Sequence, residues 1–76
     1  MRAIGSMFRW FERRGEFLRY EAREAREGGF ELCVVTPDGT ESVERFLDSS
    51  DLAKRQAEFE RQITADGWTG PHGWNL

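Results

Sequence analysis

The sequence predicts an α+β fold: a short N-terminal helix, a three-stranded antiparallel meander and one long helix packed across the sheet, in the order α-β-β-β-α. Three observations predict it. Thr36-Pro37-Asp38-Gly39-Thr40 sits between two apolar-rich runs, Leu18 to Arg23 alternates apolar and polar residues, and Leu52, Gln56, Phe59 and Ile63 recur at helical spacing. The first is a turn signature, the second has the period of a strand and the third the period of a helix.

From the N-terminus, residues 1–6 have no periodicity, and Gly5-Ser6-Met7 reads as a tag remnant or disordered lead before a native start at Met7. Met7, Trp10, Phe11 and Arg14 then fall at helical spacing, which predicts a two-turn amphipathic helix ending near Gly15. So short a helix forms only by laying its aromatic side on something else. In residues 16–23 the alternation outweighs the helix-forming composition of Glu21-Ala22-Arg23-Glu24-Ala25-Arg26-Glu27, so a strand is predicted there, with Glu27-Gly28-Gly29 as the following turn. The losing alternative is one helix from Met7 to Glu27, interrupted at Gly15.

In the hairpin, proline presets φ at the second turn position, aspartate bonds its own backbone, and glycine takes the left-handed conformation of a type I turn with a bulge. With Pro37, Asp38 and Gly39 as the loop, cross-strand partners have numbers summing to 76, so Phe30 faces Phe46, Glu31 faces Arg45 and Cys33 faces Val43. One face of the hairpin then carries Phe30, Leu32, Val34 and Phe46, and the other Cys33, Val35, Val43 and Leu47. Both are apolar, so the sheet needs cover on both sides.

The long helix is expected to start at Ser49 or Ser50 as cap, with Asp51 in the positive first turn, and to end at a left-handed Gly67. Trp68 should fold back onto Ile63. Residues 69–76 have no regular period and read as a tail, which leaves residues 7–68 as a single domain.

A 76-residue chain buries only about 60% of the surface its unfolded form exposes. With conformational entropy costing about 1.5 kcal/mol per ordered residue, small cores need a disulfide, a metal or a partner chain. One cysteine and one histidine supply neither a disulfide nor a metal cage. A homo-oligomer, with a dimer favoured, is therefore the expected partnership; no cofactor is expected. No apolar run reaches membrane-spanning length, and a reduced thiol in the cytoplasm is the expected setting. The combination of Pro-Asp-Gly hairpin, capped helix and Gly-Trp ending is similar to that of many small bacterial proteins.

Catalytic chemistry finds no constellation. Cys33 lies between Leu32 and Val34, where a packed, inert thiol is expected, and His72 lies in a glycine-flanked segment with nothing in the sequence to orient it. Carboxylate pairs such as Glu41 with Glu44 belong to a solvated surface, so no catalytic and no metal-binding residues are assigned. The interface candidates are Phe8, Trp10, Phe11, Cys33, Val35, Val43 and Leu47, with the N-terminal aromatic helix or a second subunit covering the second sheet face.

Charge offers an alternative. Residues 2–27 carry seven arginines against five acids, whereas residues 28–76 carry four basic residues against nine acids. Arg9, Arg13, Arg14, Arg19 and Arg23 are the candidates for a nucleic-acid-binding strip, interrupted by Glu12, Glu16, Glu21 and Glu24. The predicted element order resembles that of double-stranded RNA-binding domains, but Ser49-Ser50-Asp51 stands where their basic helix start would be. The expected function is a non-enzymatic homo-oligomeric interaction module, with a nucleic-acid-binding accessory protein as the alternative.

Overall fold

The computed structural model describes residues 7–75, with residues 74–75 through their backbone; the segment read as a tag remnant, residues 1–6, lies outside the described residues. Six elements follow one another: β1 (Met7–Arg13), β2 (Glu16–Glu24), β3 (Phe30–Val35), β4 (Glu41–Phe46), α1 (Ser49–Ala65) and β5 (Thr69–Asn75). The strands form one antiparallel sheet in the order β4-β3-β2-β1-β5, and α1 crosses one face from the β4 edge to the β5 edge.

This β-β-β-β-α-β arrangement corrects the expected α-β-β-β-α order at two places. Residues 7–13 are a strand and not a helix, and the meander has four strands. Met7, Arg9, Phe11 and Arg13 face α1 while Phe8, Trp10 and Glu12 face away, so large apolar groups on both faces hide the two-residue period. Gly15 is not a helix terminator either. Arg14 and Gly15, at φ 53° and 80°, form a two-residue turn that pairs Arg13 with Glu16, with the positive φ angles such hairpins require. The segment read as an irregular tail is β5, antiparallel to β1, with a bulge between Trp10 and Glu12. These differences also remove the resemblance in element order to double-stranded RNA-binding domains.

The central hairpin forms as its turn chemistry requires. Thr36 N–H donates to the Thr40 carbonyl and Gly39 N–H to the Thr36 carbonyl, both at 2.9 Å, with Gly39 at φ 89°. The Asp38 carboxylate accepts from the Thr36 hydroxyl at 2.5 Å and from the Thr40 N–H at 2.9 Å. These bonds, the Thr36 hydroxyl first, hold the Asp38 carboxyl down at about 2. The register sums to 76 along the whole ladder, from Val35 with Glu41 to Phe30 with Phe46. Residues 16–23 are indeed strand, within β2.

The core lies between the sheet and α1. Phe11, Leu18, Tyr20, Ala22 and Leu32 rise from the sheet, and Leu52, Ile63 and Trp68 close over them, with Phe59 against the Tyr20 ring at 5.7 Å. Tyr20 takes its polar end into a network with α1: its hydroxyl donates to the Glu60 carboxylate, and Gln56 Nε2 donates to it at 3.2 Å. Burial, followed by the Glu60 bond, pushes the Tyr20 phenol up to about 12.

At its start α1 has Asp48, and not the expected Ser49 or Ser50, at the N-cap position; Asp48 is extended, makes no side-chain capping bond, and its carbonyl accepts the first helical bond from Leu52 N–H at 3.2 Å. Its end is as the sequence requires. Gly67 has φ 96°, its N–H donates to the Thr64 carbonyl, and Trp68 N–H donates to the Ile63 carbonyl, both at 3.1 Å. That pair of bonds is the Schellman arrangement, and it turns Trp68 into the core. Among the described residues no helix is long and apolar enough to cross a membrane.

Candidate interaction surface

Strand alternation sends half of every strand's side chains to the face opposite α1. Phe8, Trp10 and Glu12 come from β1, and Phe17, Arg19, Glu21 and Arg23 from β2. Beside them stand Glu31, Cys33 and Val35 of β3, Glu41, Val43 and Arg45 of β4, and His72 of β5. One helix serves a sheet with two apolar faces, and among the described residues no element covers this second one.

The face has two zones. At the β5 side Trp10 stacks on His72 with ring centroids 4.4 Å apart, and Phe17 meets Trp10 edge-on at 6.2 Å. Phe17 is 55% exposed, a large apolar surface left in water. Towards β4 the residues alternate charge and apolarity. Arg23 contacts Glu21 at 3.0 Å and Glu31 at 3.1 Å, and Arg45 contacts Glu31 at 3.4 Å. Cys33 lies at the floor of a cavity of about 180 Å³ ringed by Phe8, Arg19, Arg23, Val35 and Glu41.

Cys33 is buried and its Sγ donates to Glu41 Oε2 at 3.0 Å. Burial, then the Glu41 bond, raises the thiol above its ordinary range, the opposite of what a nucleophilic cysteine needs. His72 is engaged as a stacking partner of Trp10. Among the described residues no group of three or more histidine, cysteine or acidic side chains is placed to hold a metal ion.

Five of the seven interface candidates, Phe8, Trp10, Cys33, Val35 and Val43, share the open face. Phe11 does not; it points the other way and is fully buried under α1. Leu47 lies beyond the end of β4, 90% exposed, in the connection to α1. The cover expected from an N-terminal helix does not exist, because that segment is β1 in the interior of the sheet.

The candidate arginines are dispersed. Arg9 is on the α1 side, 3.8 Å from Glu60, and Arg13 donates to the Asp66 carbonyl at 2.8 Å with its guanidinium over Trp68. Arg14 is in the β1–β2 turn, and only Arg19 and Arg23 reach the open face. That face carries Arg19, Arg23 and Arg45 against Glu12, Glu21, Glu31 and Glu41, three positive charges to four negative, with no excess to draw a polyanion. Phe17, His72 and the Glu31–Arg45 pair are contributors that the residue-by-residue reading did not assign to an interface. The hairpin register already placed Glu31 opposite Arg45, whereas finding His72 beside Trp10 required β5.

Comparison with known proteins found no matching family model, no matching curated protein and no matching solved structure.

Proposed function

We propose that this protein is a non-enzymatic, homo-oligomeric interaction module, a cytoplasmic protein that associates with a second copy of the chain through the part of the sheet that α1 leaves uncovered. The observation that carries the reading is the open face itself: Phe8, Trp10, Phe17, Val35 and Val43 lie on a side of the sheet that no described element covers. A chain of this size gains stability by removing such surface from water, at about 25 cal/mol per Å² of apolar area. The balanced charges favour a partner of the same mixed character, as a second copy is. The divided arginines and their glutamate neighbours take support from a nucleic-acid role.

Light scattering after size exclusion, over a range of concentrations and at two salt levels, tests the proposal. A mass near twice the 8.9 kDa of one chain, falling on dilution, is the expected result. The single-chain mass at every concentration would overturn it.

A further inference from the structure

The two edges of the sheet are not alike. At the β5 edge, Pro71 lacks an N–H, Gly70 and Gly73 interrupt the strand, and a bulge breaks the register with β1. Those features blunt an edge against further strands. β4, at the other edge, has six residues with no proline, no glycine and an unbroken register.

Which backbone groups of β4 are unspent follows from the hairpin. Thr36 with Thr40 is a hydrogen-bonded pair. Antiparallel pairs alternate, so Ser42, Glu44 and Phe46 exchange bonds with β3, while the N–H and C=O groups of Glu41, Val43 and Arg45 point out of the sheet. The same three residues put their side chains on the open face, as Glu, Val and Arg at two-residue intervals.

We infer that β4 pairs antiparallel with β4 of a second copy about a two-fold axis through Val43. In that register Val43 meets Val43, and Glu41 of each chain lies opposite Arg45 of the other. All three outward peptide units bond across the axis. A two-fold axis through Ser42 or Glu44 uses fewer of them and matches no charge. An odd register sets outward groups against inward ones and makes no ladder. The sequence Glu-x-Val-x-Arg is complementary to itself only when reversed about its centre, and antiparallel pairing performs that reversal. The product is one ten-stranded sheet with both helices on one side and both open faces on the other. The inference rests on the self-association proposed above and places it at the β4 edge of the uncovered side, where Val43 is removed from water and the two open faces join into one continuous surface.

Two charge reversals and a proline test it, read by light scattering with circular dichroism as the check on folding. Glu41→Arg places Arg opposite Arg, and Arg45→Glu places Glu opposite Glu, so each variant alone should dimerise about tenfold to a hundredfold more weakly. Mixed in equal amounts, the two variants restore both opposite-charge pairs, and a heterodimer of near wild-type affinity is expected. Val43→Pro removes an N–H that the β3–β4 ladder does not use, so the fold should persist while the dimer is lost. If wild type is dimeric but the charge variants stay dimeric separately, the mixture shows no recovery or Val43→Pro retains the dimer, the β4 register is wrong and self-association stands. A monomeric wild type overturns both.

Discussion

Tyr20 shows most directly how one residue ties the helix to the sheet, because its ring fills the core while its hydroxyl binds Glu60 and Gln56 on α1. Its phenol is pushed up to about 12 from an ordinary 10, so the fold favours the neutral form. That contribution is fully present below pH 10 and is lost as pH rises through about 12, amounting to about 2–3 kcal/mol. Tyr20 is the only tyrosine, so tyrosinate absorbance reports it alone. The absorbance should appear near pH 12 in the folded protein, and a midpoint near 10 without unfolding would show the network to be absent. At this scale the sequence was legible where local chemistry is self-contained. Pro37-Asp38-Gly39 and Gly67-Trp68 each carry their own turn or cap, and both formed as read. The Tyr20 network was not legible, since it joins residues 36 and 40 positions apart.

Among the elements, β1 and β5 are the ones the sequence concealed, and for different reasons. β1 is apolar on both faces, so its spacing fits a helix as well as a strand; its aromatic content, Phe8, Trp10 and Phe11, was the available signal for a strand. β5 contains Gly70, Pro71 and Gly73, residues that argue against strand, and is held as an edge by its partner β1. Gly73 is suited to that place: at φ 135° it lies so close to β1 that a Cβ would clash with the Phe8 carbonyl oxygen. Gly73→Ala is therefore expected to cost at least about 2 kcal/mol, a fall of roughly 8 °C or more in Tm for a domain of this size. Gly15→Ala, where a Cβ meets nothing within 4 Å and only the positive φ of 80° is strained, should cost about 1 kcal/mol. Equal thermal shifts for the two variants would show that β5 does not pack closely on β1.

For the whole molecule, the governing fact is that among the described residues one helix covers one side of a five-stranded sheet and no element covers the other side or the β4 edge. The two-faced apolarity of the central hairpin announced this in the sequence, and five of the seven interface candidates converge on that face. The β4 edge was out of reach, because whether a strand is internal or terminal is a property of the complete sheet. The measurement that bears most directly on self-association through this edge is residue-resolved hydrogen exchange at high and low protein concentration. The amides of Glu41, Val43 and Arg45 should be protected at high concentration and lose that protection on dilution, while those of Ser42 and Glu44, bonded to β3, stay protected at both. Fast exchange of the three outward amides at every concentration would contradict it.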